Sequence, residues 1–423
     1  MKAHRFLVAT TAAAMAVALA ACGTSGPGDS GDGDQTLNLW YLSDNPTVPD
    51  AAKRFEAANP GWKVNLTDTP NDQYKTKLRV GLGTPNGPDV FFNWGGSDLV
   101  EYEKSDLVVP LEDMMREKKL NDVFGPAVLR QGQVDGTQYG LATAVEASMV
   151  WYNKDIFAEL NLSAPTTWEQ FLDVIAKTKA AGYTPIAMAN SSQWPGSQWW
   201  SELVALSCGP DFWATLGTEP KIRLDDPCVV AGHQKIVELV QAGAFNQGFN
   251  GLDYDKGESR QLFWSGKAAM NHMGNWTLTS AKEEAPEMMS KMDFFTVPAW
   301  SGAKGTSDMM TGGLAPMYSA AKSDKSDKAA DLLYYLVDQD SAKAITELGR
   351  VPVYEGTEIS EPLVKKVSDA IAAAPALAPW PDHVLAPEWT TEMLQTVQSL
   401  FGLSVSPQDA ASRLQTKYEQ VKQ

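Results

Sequence analysis

Tryptophans in loop-like surroundings are the residues of this chain whose type and position could do chemistry. The sequence holds 14 tryptophans, and several stand beside glycine, proline or amide residues. They are Trp94 in Asn-Trp-Gly-Gly, Trp194 in Gln-Trp-Pro-Gly, the pair Trp199-Trp200, Trp276 in Gly-Asn-Trp-Thr and Trp380 in Pro-Trp-Pro. An indole in such a loop can stack on the apolar face of a sugar ring, while nearby Asn93, Asn275 and Asp382 could bind its hydroxyl groups. The alternative is that each tryptophan packs the edge of a lobe.

The sequence carries none of the usual motifs of catalysis, nucleotide binding or metal binding. It contains no phosphate-binding loop, no Gly-x-Gly-x-x-Gly after a strand and no Gly-x-Ser-x-Gly elbow. His233, His272 and His383 lie far apart, without the spacing of a metal site. We therefore predict no catalytic residue, no metal and no cofactor. A pair of glycosidase carboxylates could still stand among the 52 acidic residues, so an enzyme remains an alternative.

The first 22 residues have the pattern of a bacterial export signal. Lys2 and Arg5 precede an uncharged run at residues 6–21 that ends in Leu-Ala-Ala, followed by Cys22. That run is short for a transmembrane helix, which needs about 20 apolar residues. A cysteine after Leu-Ala-Ala resembles the lipobox of bacterial lipoproteins. The resemblance implies that residues 1–21 are removed and that Cys22 becomes an acylated N-terminus, anchored to the cell membrane outside the cytoplasm.

Composition and cysteine usage agree with a large exported protein. A chain of 423 residues is long enough for two or more lobes. Loss of the two basic residues of the signal takes the formal net charge from −17 to −19, which argues against a nucleic-acid partner. With Cys22 acylated, Cys208 and Cys228 remain as an even pair in an oxidising compartment. We predict a disulfide between them; two buried free thiols are the alternative.

Strand and helix patterns alternate along the rest of the chain. Residues 22–35 are rich in Gly, Ser, Thr, Pro and Asp, which predicts a flexible tether. Strands are predicted at residues 37–41, 62–66, 89–92, 150–152 and 185–188. Helices are predicted from Pro49 to about residue 58, from the Thr167/Gln170 capping pair to Gly182, and at residues 260–264, 328–337 and 408–421. Strand, helix and strand in this order indicate an α/β fold with at least two lobes.

The chain resembles the extracellular sugar-binding lipoproteins of ABC importers, the maltose-binding-protein-like group. The resemblance covers essentially the whole mature chain. It rests on residues 37–40 with the helix at 49–55, and on residues 87–90, 146–155, 263–270, 274–276 and 312–315, in this order after a lipobox. It implies a two-lobed α/β fold, of the periplasmic-binding-protein type II-like kind, with a ligand cleft between the lobes. The lobes would comprise residues 36–143 with 296–347 (N-terminal lobe) and residues 144–295 with 348–423 (C-terminal lobe).

The resemblance also implies which residues contact the ligand. In the family, contacts come from the loop after the first strand, here Ser43 and Asp44, and from the loop after Pro-Asp-Val, here Asn93 and Trp94. They also come from an acid at the lobe crossing and from two late aromatics. In this sequence these positions are Glu146, Trp276 and Trp380, and the tryptophan pattern adds Trp194. Two departures argue against carrying over maltose: the first loop lacks the lysine of the maltose binder, and Asn93 stands where that protein has tryptophan.

The resulting expectation is a monomeric, non-enzymatic receptor that delivers an oligosaccharide to the permease subunits of an ABC transporter. Trp276 is expected to be the main stacking platform, with Glu146 and Asp44 binding hydroxyl groups. The number of tryptophans favours a disaccharide or a longer sugar, and a xylobiose-like or cellobiose-like ligand is preferred. Two alternatives are kept: a lipid-anchored carbohydrate-active enzyme, and a receptor of the same fold for a non-sugar solute such as a peptide or polyol.

Overall fold

The structure, a computed structural model, describes residues 35–216 and 222–421. The predicted export signal, Cys22 and the predicted tether up to residue 34 lie outside the described residues. Within the described part of the chain, no helix is long and apolar enough to cross a membrane. In the same part, no group of three or more His, Cys, Asp or Glu side chains is placed to hold a metal ion.

The strands of the described residues form two larger sheets and one small hairpin. They are β1 (Thr36–Leu42), β2 (Lys63–Thr69), β3 (Val90–Asn93), β4 (Gln133–Val134), β5 (Thr137–Gln138), β6 (Leu141–Ala142), β7 (Ala144–Asn153), β8 (Thr184–Ala187), β9 (Ala268–Gly274), β10 (Met292–Phe295), β11 (Met310–Leu314), β12 (Met317–Ala320), β13 (Val351–Pro352) and β14 (Leu377–Pro379).

Helices connect the strands and cover the sheets. They are α1 (Val48–Ala58), α2 (Asn71–Gly81), α3 (Gly96–Lys104), α4 (Glu112–Glu117), α5 (Pro126–Arg130), α6 (Lys154–Glu159), α7 (Trp168–Ala180), α8 (Trp194–Cys208), α9 (Phe212–Thr215), α10 (Pro227–Ala242), α11 (Glu258–Trp264), α12 (Thr277–Glu284), α13 (Met288–Lys291), α14 (Ser326–Val337), α15 (Gln339–Glu347), α16 (Pro362–Ala373), α17 (Pro381–Val384), α18 (Pro387–Phe401) and α19 (Pro407–Val421).

The N-terminal lobe is built on a five-stranded sheet in the order β2-β1-β3-β12-β6. β1 pairs in parallel with both β2 and β3, and α1 returns the chain between the first two strands. Along α1, Ala51, Ala52 and Phe55 face the sheet and are buried, which follows from their helical spacing. Because β1 and β3 run in the same direction, the loops that follow them leave the sheet at one edge.

The C-terminal lobe is built on a seven-stranded sheet with the path β14-β11-β7-β9-β8, to which β10 and β13 add by pairing with β7. β9 and β11 both run antiparallel to β7, while β8 pairs in parallel with β9 and β14 in parallel with β11. The carboxyl ends of β8, β9, β11 and β14 therefore meet at one edge. The start of β7 lies at the same edge.

The chain crosses between the lobes at three places. It passes from β6 to β7, from β11 to β12, and from α15 to β13. The α/β fold with two lobes predicted from the sequence is confirmed. β11 pairs with β7 and β14 of the C-terminal sheet, whereas residues 296–347 were predicted to belong to the N-terminal lobe. The lobe limits, residues 36–143 with 296–347 and residues 144–295 with 348–423, otherwise stay a prediction.

Several elements and the disulfide match their predictions. Thr167 caps α7, since its hydroxyl accepts a hydrogen bond from the Gln170 amide at 3.3 Å, although the Gln170 side chain accepts from Thr166 instead of Thr167. Cys208 at the end of α8 and Cys228 at the start of α10 form a disulfide with Cα atoms 5.1 Å apart. This confirms the predicted pair and ties two helices of the C-terminal core together.

Candidate functional site

A cleft of about 680 Å³ is lined by residues of both lobes and of the crossing segments. The N-terminal lobe contributes the loop after β1, the inner face of α2 and Trp94 after β3. The C-terminal lobe contributes the segments that follow the carboxyl ends of β8, β9 and β14. Ligand sites at the carboxyl ends of parallel strands are the general rule for open α/β sheets. The cleft wall includes eight of the residues predicted to contact a ligand: Ser43, Asp44, Trp94, Glu146, Trp194, Trp276, Trp380 and Asp382.

Four aromatic residues of the C-terminal lobe form a continuous wall of the cleft: Trp194, Tyr254, Trp276 and Trp380, called the aromatic wall below. Trp194 packs edge-on against Tyr254 at 4.5 Å between ring centroids, and Trp276 lies 6.1 Å from Trp380. The Trp276 indole N–H donates a hydrogen bond to the Tyr254 hydroxyl at 3.2 Å. Trp380 is only 5% exposed and packs edge-on against Trp276, so most of its surface is covered by protein.

The backbone after β9 determines where Trp276 lies. A Cβ atom on Gly274 would come within 1.9 Å of the Trp276 ring, so the indole lies directly over a position that only glycine leaves open. Asn275 is fully buried, and its side chain binds the Ala147 amide at 3.0 Å and the Val145 carbonyl at 3.2 Å. The expectation that Asn275 binds hydroxyl groups is therefore wrong, because its amide anchors the turn to β7.

Asn93 does not reach the cleft either, which corrects its predicted role as a ligand contact. Its side chain is fully buried, donates to the Ser319 hydroxyl at 2.9 Å and accepts from the Gly95 amide at 2.8 Å. These bonds hold the turn after β3. Asn93 thus positions Trp94, whose side chain does line the cleft.

Trp94 is held on the N-terminal side of the cleft by aromatic and charged neighbours. Its ring packs edge-on against Phe92 at 4.6 Å, and the Lys75 ammonium group lies 4.6 Å from its centroid. The same ammonium lies 3.8 Å from Asp98 and 3.6 Å from Asp382. The cation of α2 therefore links Trp94 to an acid of the opposite lobe, which places Asp382 on the cleft wall as the sequence suggested.

A buried arginine joins the two predicted hydroxyl-binding acids. Arg350, just before β13, donates to Glu146 at 2.9 Å and to the Asp44 carboxylate at 3.1 Å. It also donates to the Asp44 carbonyl at 3.0 Å. Burial raises the pKa of Glu146 to about 7, although Arg350 opposes this effect. Burial lowers the pKa of Arg350, but the two carboxylates outweigh burial and keep it cationic.

Both acids line the cleft and keep lone pairs that Arg350 does not use. Glu146 is 7% exposed, and only one of its two oxygens is bound by Arg350. The Asp44 side chain is 52% exposed at the end of the loop after β1. Both carboxylates can therefore accept hydrogen bonds from hydroxyl groups of a solute that lies against the aromatic wall.

The prediction that the pair Trp199-Trp200 lies in a loop is wrong. Both side chains are 1% exposed or less, because they stand in the middle of α8, which is buried on all sides in the C-terminal core. Conversely, Tyr254 was missed, although it stands between Asp253 and Asp255 in a segment of the same loop-like composition as the tryptophans. The sequence also did not predict three other charged residues of the cleft wall, Arg350, Lys75 and Asp72, and nothing in their sequence surroundings marks them.

Comparison with known proteins places this geometry in a family. The family model described as bacterial extracellular solute-binding protein matches residues 40–343. The first curated relatives are matched over 56–66% of their own length. One relative, the multiple sugar-binding protein of Streptococcus mutans, is 24% identical over 283 residues, which is 64% of each chain.

Two solved structures have nearly the same fold. A protein from a study of xylan utilization by Caldanaerobius polysaccharolyticus superposes with a TM-score of 0.82 at 25% identity, covering 90% of this chain and 99% of that chain. A chitin oligosaccharide binding protein also gives a TM-score of 0.82, at 27% identity and with 91% and 99% coverage. Because the family model spans more than half of the sequence and these structures share its two-lobed fold, the chain belongs to the bacterial extracellular solute-binding protein family.

Proposed function

We propose that the protein is a receptor that captures a neutral oligosaccharide in the cleft and delivers it to the permease of an ABC importer. The observation that carries this proposal is that the aromatic wall and the Asp44–Arg350–Glu146 triad line the same cleft. Flat indole surfaces suit the apolar faces of sugar rings, and the paired carboxylates suit their hydroxyl rims. A site that hydrogen-bonds hydroxyl groups rejects analogues that lack them, since its buried polar groups would then be unpaired.

The charge of the cleft favours a neutral solute over an anionic one. Carboxylates outnumber lysine and arginine side chains on its wall by eight to four. The most buried cation, Arg350, is already bound by two carboxylates. A phosphate or a uronate would therefore meet net repulsion in the cleft.

The size of the cleft and the similar proteins favour a short oligosaccharide. A cavity of about 680 Å³ lies within the range of roughly 300–1,000 Å³ typical of small-ligand sites. The names of two similar structures refer to xylan utilization and to chitin oligosaccharides. Both support a β-linked sugar, and we propose a xylobiose-like or cellobiose-like ligand.

The setting of this receptor is part of the same proposal. The basic start, the apolar run and Cys22 support a lipid anchor on the outer face of the bacterial cell membrane. More than one acyl chain anchors a protein stably, and a tether then keeps the receptor near its permease at high effective concentration. We propose that it acts as a monomer.

One set of measurements tests both whether the protein binds a sugar without cleaving it and whether Trp276 is the stacking platform. Calorimetric titration of xylo-, cello- and chito-oligosaccharides should show one bound sugar per chain, and chromatography should recover the sugar uncleaved. Trp276→Ala should weaken binding at least tenfold, or about 1.4 kcal/mol, because the stacking surface is lost. Trp62→Ala, in a partly buried tryptophan of the N-terminal core outside the cleft, is the control. Unchanged affinity in Trp276→Ala would contradict the platform.

One observation favours the enzyme alternative enough to state its test. A carboxylic acid with its pKa raised to about 7 beside a second carboxylate is the arrangement that a glycosidase acid requires. Arg350 bridges both groups, however, and a shared cation suits two fixed acceptors better than an acid and a nucleophile with separate roles. Release of shorter sugars by the purified protein, abolished in Glu146→Gln, would favour the enzyme.

A further inference from the structure

Asp72, at the start of α2 in the N-terminal lobe, makes three hydrogen bonds to the C-terminal lobe. One carboxylate oxygen accepts from the Trp194 indole N–H at 3.0 Å, and the other accepts from the Ser192 hydroxyl. The Asp72 backbone amide donates to the Asp255 carboxylate at 3.1 Å. One residue of one lobe thus binds three residues of the other, and all four line the cleft.

The local backbone on each side supports this contact. The amide of Asp72 belongs to the first turn of α2, whose N–H groups have no partner within the helix, so the Asp255 carboxylate satisfies a donor that is free by geometry. On the other side, Gln193 has φ of +69°, an unfavourable region for a residue with a side chain. That conformation places its two neighbours, Ser192 and Trp194, toward the same carboxylate.

The contact extends from Asp72 into the aromatic wall. Trp194 packs against Tyr254 at 4.5 Å, and Tyr254 accepts the hydrogen bond of Trp276 at 3.2 Å. Trp194 is therefore fixed by a carboxylate of the opposite lobe, that of Asp72. Hydrogen bonds of about 3 Å weaken steeply when either partner moves, so rotation of the lobes about their crossing segments would release Trp194.

We propose that Asp72 is a closing latch, a positioning residue that couples the closed arrangement of the lobes to the final placement of Trp194. The latch rests on the proposed function, because a fixed Trp194 raises affinity only for a sugar that binds against it. Sugar enters while the lobes are apart, and the latch forms as they close. Loss of the latch should therefore raise the dissociation rate of the sugar. The association rate should not change, because the sugar enters before the closed contacts form.

The test compares Asp72→Ala, Asp72→Asn, Ser192→Ala and Trp194→Phe, with Asp50→Ala as the matched control. Asp50 is an exposed aspartate on α1 of the same lobe, and it is paired with Lys53 within its own helix. Small-angle X-ray scattering measures the radius of gyration in buffer and with xylobiose, xylotriose, cellobiose and chitobiose. Stopped-flow fluorescence gives the association and dissociation rates of whichever of these sugars binds.

Asp72→Ala should shift the scattering of the protein toward the open form and weaken sugar binding about tenfold, through faster dissociation. Asp72→Asn should recover part of the loss, because its amide oxygen still accepts from Trp194. The effects of Asp72→Ala and Trp194→Phe should be less than additive in the double variant, since both changes remove the hydrogen bond between Asp72 and Trp194. Asp50→Ala should match the wild type.

The outcomes separate the latch from the proposed function. If the wild type binds a sugar and Asp72→Ala binds it equally well, with additive effects in the double variant, the latch is wrong and sugar binding stands. If no sugar binds but Asp72→Ala still opens the protein in buffer, the latch stands and the proposed function fails. A wild type that shows no closed form in any of these conditions overturns the latch.

Discussion

Replacement of Arg350 by methionine should destabilise the protein strongly at high pH and weakly at low pH. Arg350 is 4% exposed and neutralises Glu146, which is itself 7% exposed. Removing one member of a buried ion pair costs about 3–5 kcal/mol, because the remaining charge is left without a partner. The exposed Asp44 side chain can return to water, so the cost arises mainly at Glu146. Protonation of Glu146 limits the electrostatic loss to about 1.4 kcal/mol, one pH unit above its pKa of about 7, and lost hydrogen bonds add about 1 kcal/mol, so we expect about 2.4 kcal/mol at pH 8.

The pH dependence follows from the raised pKa of Glu146. In the folded protein that pKa is about 7, above its ordinary value of 4.5, so the folded state binds a proton more tightly than the unfolded state. The stability contributed by this group is therefore fully present below about pH 4.5 and is lost as the pH rises through 7. Arg350 lowers this pKa, so its removal raises it further. At pH 5, where Glu146 is protonated with or without Arg350, the variant should lose only about 1 kcal/mol in hydrogen bonds.

Urea unfolding of the wild type and of Arg350→Met at pH 5 and pH 8 measures this difference. Adding Glu146→Gln to Arg350→Met should restore most of the loss at pH 8, because no buried charge then remains. Arg413→Met is the control, since Arg413 is half exposed and pairs with Glu392 at the surface, and it should cost less than about 1 kcal/mol at either pH. Equal losses for Arg350→Met at the two pH values would refute the reasoning.

Two further substitutions test the aromatic wall and the disulfide. Gly274→Ala should weaken sugar binding about tenfold in a calorimetric titration, because its Cβ would displace the Trp276 ring. An unchanged affinity would show that sugar binding does not depend on the position of this ring. Replacement of Cys208 and Cys228 by serine should lower the free energy of unfolding by about 3 kcal/mol, as expected for a loop of this length. Sugar affinity should change little, since neither residue lines the cleft. Equal stability of the wild type and the variant would contradict this prediction.

Several elements of the two lobes were predictable because local signals and the tertiary structure agree there. The apolar spacing of α1, the alternation in β1 and the cap of α7 appear in the structure close to their predicted limits. The tryptophans that follow strands could also be found, since Trp276 and Trp380 come within two residues of the ends of β9 and β14. Loop composition at a strand end is a signal that a single sequence contains.

The failures have a common physical cause, which is that a side chain's partner is set by the tertiary structure. Trp199 resembles a loop residue in its surroundings, yet it lies inside a helix that is buried on all sides. Arg350 bonds to Glu146 across 204 positions of sequence and to Asp44 across 306. Asn93 stands beside Trp94 in the sequence, yet its amide is used by the turn. Neither distant pairing nor the use of an amide by the backbone leaves a mark in local composition.

Calorimetric titration of the wild-type protein with a panel of neutral and acidic oligosaccharides tests the central claim most directly. The panel comprises xylo-, cello- and chito-oligosaccharides of two to four units, each beside a uronate-containing counterpart. We expect at least one neutral sugar to bind with one site per chain and to be recovered intact, with weaker binding of its acidic counterpart. Absence of binding by every neutral sugar, or tighter binding of the acidic ones, would contradict the assignment of the cleft to neutral oligosaccharides.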